Sequence, residues 1–327
     1  APQDSLPVVR ALPPSAMDSL ASDSAWIDPI QYALLQANPT RDTLVYWLTD
    51  SLAIGQDSIF LEMTYLKSDS AYNLVPQTDT ISAIYRAPRL TVKAKEAIDK
   101  KNRERMLELR SNAKSGFEVY DTLRILSPMP IDSVWADSIG LYEKVDTVYK
   151  SVPFTLQPTD SVPLGYLVVA RLEQGKSYEL RLDSGAVRDV YGVANKEKKF
   201  TLQLKTAEDY STLLIKIPTY DPAIRLQLLD EKDKPVRELS ARPEGTKFEY
   251  LTPKAYYLRL YVDLDGDGKW TTGDWATKRQ PEPVFYFPAK LTLRANWDFE
   301  EIFDYLARPQ LDSKPRELIK DAAATKK

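Results

Sequence analysis

The stretch Ser177-Tyr178-Glu179-Leu180-Arg181-Leu182-Asp183 alternates polar and apolar residues with a period of two. That spacing puts Tyr178, Leu180 and Leu182 on one face of an extended chain and the charged residues on the other. Asp183-Ser184 closes the run, and the same syntax recurs upstream. It opens at Asp42-Thr43, Asp57-Ser58, Asp79-Thr80, Asp121-Thr122, Asp132-Ser133, Asp137-Ser138, Asp146-Thr147 and Asp160-Ser161. Short Asp and Ser side chains bond their own backbone and favour turns, so the runs between them read as strands. Turn signals spaced roughly every 10 residues point to sandwiches of antiparallel strands, not to alternating strands and helices.

Composition agrees and removes several chemistries. Among 327 residues there are 19 Tyr, 6 Trp and 23 Pro, but only 11 Gly. Aromatics suit pleated, half-buried surfaces, and dense Pro breaks long helices. His and Cys are both 0. A Ser-His-Asp triad, a Cys-His nucleophile, a His or Cys metal site and a disulfide are therefore all excluded. Neither a Gly-rich phosphate loop nor a Gly-x-Ser-x-Gly elbow occurs. A net charge of -3 argues against a nucleic-acid partner. No apolar run is long enough for a transmembrane helix. The start, Ala1-Pro2-Gln3-Asp4-Ser5, has no signal-peptide character and reads as a mature or truncated product.

The chain divides on paper into six segments. Residues 1–24, rich in Ser, Pro and Asp, read as a tail or linker. Residues 25–92 are β-rich. Lys93 to Ala113, without Pro or Gly and full of helix formers, marks a charged helix or connector over 93–115. Residues 116–208 form a β-sandwich that contains the opening stretch. Residues 209–300 form another, with strands expected at 213–217, 224–229, 256–262 and 284–287 and a turn at Lys234-Pro235. Residues 301–327 read as a C-terminal tail.

The sharpest local motif is Asp263-Leu264-Asp265-Gly266-Asp267-Gly268-Lys269-Trp270-Thr271-Thr272-Gly273-Asp274. It matches a calcium loop, with oxygen ligands from Asp263, Asp265, Asp267, the Lys269 carbonyl and Asp274 at positions one, three, five, seven and twelve. Gly268 at position six permits the sharp turn. The competing reading is a tight Asp/Gly hairpin that needs no ion. Position twelve is Asp, not the long bidentate Glu, and Pro281 and Pro283 forbid an exiting helix. A bound Ca²⁺ would sit in the weak class of extracellular modules, at about 10⁻⁴–10⁻³ M. The aromatics nearby are read mainly as core, with Trp270 and Trp275 exposed because they flank the loop.

Two runs resemble a known family. Gly175 to Gly192 resembles the end of a bacterial SbsA-type Ig-like domain. Tyr256-Tyr257-Leu258-Arg259-Leu260, Asp267-Gly268-Lys269-Trp270, Arg279-Gln280-Pro281-Glu282 and Ala295-Asn296-Trp297-Asp298 are similar to the C-terminal part of Ig-like-domain lipoproteins of the Bacteroidota cell envelope. The resemblance covers about 41–300. It implies tandem Ig-like and prealbumin-like β-sandwiches in the periplasm or on the outer-membrane surface, and it carries over no catalytic residue. It also implies a lipidated Cys as anchor. This sequence has none, so membrane attachment would run only through an absent or removed anchor.

The function expected from the sequence is a non-catalytic scaffold that meets other envelope proteins. The alternatives are a calcium-stabilised adhesion or glycan-binding module and a carboxylate-based hydrolase. For the last, 47 acidic residues leave no pair singled out.

Overall fold

The computed structural model describes residues 8–12, 27–38, 43–85, 91–93, 96, 100, 104–275, 277–310 and 313–319. The fold is mainly β, as the alternation requires. The α-helix Ser51–Ile54, capped by Asp50, has only four residues. Among the described residues no helix is long and apolar enough to cross a membrane. Two compact units are present. The first takes residues up to 115 together with 122–171 and 177–202, and the second takes the remainder.

In the first unit, Val8–Ala11, Ser58–Ser68 and Leu74–Ile84 form a three-stranded antiparallel sheet in that order. Ala33–Ala37 pairs with Leu44–Leu48 as a separate hairpin. Leu12, Tyr32 and Ala53 are buried together, with Ile59, Phe60 and Leu61 packed against them. The tail expected over 1–24 is thus corrected at Val8–Ala11, a paired strand, and at Leu12, whose N–H donates to the Phe60 carbonyl. Its other residues lie outside the described ones.

The sandwich of this unit is built from the opening stretch. Ser177–Leu182 pairs with Ile139–Val145, which pairs in turn with Val148–Ser151. A second sheet runs Phe154–Pro158, Gly165–Ala170, Leu123–Leu126, Arg110–Ser111. Tyr178, Leu180 and Leu182 are all buried, as are Leu123, Ile125 and Val168 on the second sheet. On the outer face Arg181 stacks on the Tyr142 and Tyr149 rings, 4.7 and 4.2 Å from their centroids, and bonds Glu179. A guanidinium between two rings covers the sheet while keeping its charge paired.

The charged segment after 92 departs from the helix expected over 93–115. Residues 92, 93, 96 and 100 are helical, and Glu104 N still bonds the Lys100 carbonyl. From Leu107 the chain is extended: Leu107 bridges Asn195, and Arg110–Ser111 joins a sheet. Leu107 and Leu109, two apart, are both buried. Residues two apart share a strand face and never a helix face, so burial decides against helix here.

The second unit is a two-layer sandwich. One sheet runs Pro235–Ser240, Ile224–Leu229, Ala255–Val262, Val284–Tyr286, with Leu291–Thr292 also on the third strand. The other runs Thr246–Leu251, Ser211–Lys216, Asp298–Ile302. Its last pair is parallel. Leu213, Ile215, Phe248, Leu226, Leu258 and Leu260 share one core, closed by Phe287 and Phe303. The tail expected from 301 is corrected up to Ile319. Phe303 is core, its ring 5.5 Å from Phe287, and Leu318 is buried with Leu229 and Tyr257. Residues 311–312 and 320–327 lie outside the described ones.

One turn recurs in both units. At Asp69–Asn73, Asp189–Val193 and Asp230–Lys234 the leading Asp Oδ1 accepts from the N–H groups two and four residues on. The leading N–H also reaches the carbonyl four residues on. The fourth residue has positive φ in each: Tyr72 at 62°, Gly192 at 80° and Asp233 at 63°. The backbone bonds to Asn73 and Lys234 hold the Asp69 and Asp230 carboxyls below their ordinary values. The Asp233 turn is the one expected at Lys234-Pro235.

Candidate functional site

Strand Ala255–Val262 leaves the core at Asp263 and returns at Val284. The excursion between them carries the calcium-loop motif. Asp263, Asp265 and Asp267 converge, with one carboxylate oxygen from each lying within 4.8 Å of the others. Local bonds explain how like charges come so close. Asp263 accepts from Gly266 N at 2.8 Å and from Gly268 N at 2.9 Å. Asp267 accepts from Lys269 N at 2.7 Å, and Asp265 meets the Arg279 guanidinium at 3.3 Å. Gly266 and Gly268 have φ of 72° and 74°, a conformation that other residues reach only with strain.

Asp274, expected to complete the ligand set, heads a small hairpin instead. Its N–H and carbonyl pair with those of Arg279, and its Oδ2 accepts from Thr277. Lys269 enters through its backbone N–H to Asp267. Trp275 beside it is 96% exposed, and Trp270 is 43% exposed while its indole N–H donates to the Glu282 carbonyl. An open hollow lies against Trp275, Arg279 and Pro281.

Sequence reasoning passed over the residue that shapes the loop. Glu282 is 5% exposed, and its two oxygens accept from Leu264 N at 2.7 Å and Thr271 N at 2.9 Å. It ties both ends of the motif to the returning chain. An acid beside two prolines, Pro281 and Pro283, just ahead of a strand was the available signal.

A polar network joins the loop to the sheet. Arg225 Nη2 and the Tyr261 hydroxyl both donate to the Gly268 carbonyl, at 3.3 and 3.2 Å. Both also bond Glu238, which accepts from Gln227 in addition. Arg259 bonds Gln227 and lies 3.8 Å from Asp233, which Tyr286 and Lys314 also reach. Burial alone would raise the Glu238 carboxyl, but bonds from Gln227, Tyr261 and Arg225 outweigh it and hold it below its ordinary value. Burial, with the bond to Glu238, pushes Tyr261 up to about 12. The strand Ala255–Val262 is buried on both faces: Tyr256, Leu258 and Leu260 in the core, Tyr257 against Leu229 and Leu318, and Tyr261 in this network.

No family model matches the chain, and no curated protein matches it. Among solved structures it is similar to the N-terminal part of the bacterial S-layer protein SbsC, at 12% identity and a TM-score of 0.27, over 54% of this chain. The chain spans 44% of that structure. It is also similar to the major pilin subunit of Bacillus cereus, at 8% identity and a TM-score of 0.21, over 91% of this chain and 94% of that one. Likenesses at these scores carry no argument about the loop or its chemistry.

Proposed function

We propose that the chain is a non-catalytic structural or protein-interaction component of the cell envelope, of the Ig-like-domain kind that its motifs resemble. One observation supports this reading: the buried polar side chains are spent on architecture. Among the described residues, Ser127, Asn195, Ser211, Thr246 and Ser313 bond backbone groups. Asp189 Oδ1 and Glu282 hold loops, Glu179 bonds Arg181 along its own strand, and Gln227 bonds Glu238 and Arg259 on the two neighbouring strands. Among the described residues only Asp189 Oδ2 and the Tyr32 hydroxyl are buried without a partner. A catalytic cleft needs buried polar groups aimed at open space, not at the backbone. Pull-down of envelope partners with the full chain tests the reading. Recovery of a defined envelope protein is expected. Turnover of a glycan or peptide substrate, abolished by a single carboxylate substitution, would overturn it.

A calcium-stabilised module is the second reading, favoured by the convergence of Asp263, Asp265 and Asp267 in a calcium-loop spacing. An ion that binds only the folded loop stabilises by mass action, by about 2.7 kcal/mol at a hundredfold excess over its dissociation constant. The melting temperature of the full chain is expected to rise in millimolar calcium relative to chelator, and Asp265→Ala should abolish the rise. An unchanged midpoint would leave the loop as a turn held by Glu282 and Arg279.

A further inference from the structure

The three-stranded sheet of the first unit ends on Leu74–Ile84, and among the described residues nothing pairs with that strand's outer edge. Two bonds fix which way its backbone faces. Asp69 N donates to Asn73 O at 2.9 Å and Tyr85 N to Asp57 O at 2.8 Å. Both fall in the register that sets Ser58 opposite Ile84 and Ser68 opposite Leu74. Antiparallel alternation then commits the odd-numbered residues, Val75 to Ala83, to the inner neighbour. The N–H and C=O groups of the even-numbered residues, Leu74 to Ile84, point outward. Pro76 belongs to the outward set, where its missing N–H removes no bond from the hairpin.

Edges of this length are ordinarily guarded by lysines, bulges or inward-pointing charges. Here the outward row is Leu74, Pro76, Thr78, Thr80, Ser82 and Ile84, without a charge, and the pairing with Ser58–Ser68 runs without a bulge. The strand's one charged residue, Asp79, lies in the other row and is held by the Tyr65 hydroxyl at 2.7 Å and Gln77 Nε2 at 2.9 Å. Leu74 and Ile84 are 58% and 60% exposed.

We propose that this edge pairs with the same edge of a second copy of the chain, antiparallel and centred on Thr80. An antiparallel joint requires outward residues to face outward residues, which the strand satisfies with itself. A two-fold axis at Thr80 sets Thr78 against Ser82 and Pro76 against Ile84, hydroxyl on hydroxyl and apolar on apolar. Each copy donates from Thr78, Thr80, Ser82 and Ile84, and the proline falls at the last rung. An axis at Asp79 would set two carboxylates face to face. One at Thr78 would move the proline next to the centre. The inference goes beyond the scaffold reading and holds whether or not that reading stands.

Sedimentation equilibrium of the full chain is expected to show a monomer–dimer equilibrium. Thr80→Pro removes only an outward N–H, so the hairpin stays intact while the joint loses two central bonds. Its dimer dissociation constant should rise about tenfold. Because the chain has no cysteine, Thr80→Cys supplies one thiol per copy. Directly bonded pairs hold Cα atoms about 5.5 Å apart, within disulfide reach. Mild oxidation should give a covalent dimer with Thr80→Cys and not with Asp79→Cys. A wild-type chain that stays monomeric overturns the proposal and leaves the edge to an extended segment of another protein. So does a dimer indifferent to Thr80→Pro, or one cross-linked through Asp79→Cys in preference to Thr80→Cys.

Discussion

Phe248→Ala is expected to cost the second unit about 3–5 kcal/mol, the range for truncating a buried aromatic ring. Phe248 is fully buried and faces Leu213 across the pair formed by Thr246–Leu251 and Ser211–Lys216. The ring lies in the core shared by both sheets, with Leu226, Leu258 and Leu260. A two-layer core filled from both sides collapses poorly around a hole, which places the loss toward the upper end. Urea unfolding of the full chain checks it: the midpoint of the second unit should fall without a change in slope. A loss below about 1 kcal/mol would contradict the packing of this core.

Glu282→Ala should follow closely, at about 3 kcal/mol. Its carboxylate is the acceptor for two backbone N–H groups, and bonds to a charged acceptor contribute about 1.5–3 kcal/mol each. Leu264 and Thr271 both lose their partner, at opposite ends of the motif. Glu282→Gln keeps one acceptor oxygen and should lose roughly half as much. Thermal unfolding of the three proteins gives the order. Equal losses for Gln and Ala would show that the side chain fills space without clamping the loop.

The strands of both sandwiches were legible where apolar and polar residues alternate with a period of two. Ser177–Leu182 shows this directly: Tyr178, Leu180 and Leu182 are inside. The rule that Asp followed by Ser or Thr makes a turn was only partly reliable. Asp146 and Asp183 do sit at turns, but Asp79 and Asp132 lie within strands. The turns that recur are led by Asp69, Asp189 and Asp230. What distinguishes them is a residue three positions on that accepts positive φ, not the residue that follows the Asp. The segment 104–111 was misread because its charges suggested helix while Leu107 and Leu109 were already spaced for a strand.

In the loop, the convergence of the Asp263, Asp265 and Asp267 carboxylates was legible from spacing alone. Asp274 was not, because a twelve-residue loop in a helical setting is closed by an exiting helix and this one is closed by Glu282 and the strand beyond. Glu282, Arg225 and Tyr261 act across the fold, from positions that no local pattern connects.

The parallel pairing of Ser211–Lys216 with Asp298–Ile302 bears on how this protein is made. Ser211–Lys216 is the middle strand of its sheet, so one of its edges stays open until Ile302 has left the ribosome. Antiparallel hairpins can close as they emerge, but this contact joins the start of the unit to its end and must wait for synthesis to pass through the whole core. A nascent chain halted before Asp298 therefore carries a nearly finished sandwich with an unpaired strand edge. Such arrested chains should be cut readily by protease across the second unit, whereas chains extended past Phe303 should resist, and equal sensitivity would show that the last strand is dispensable.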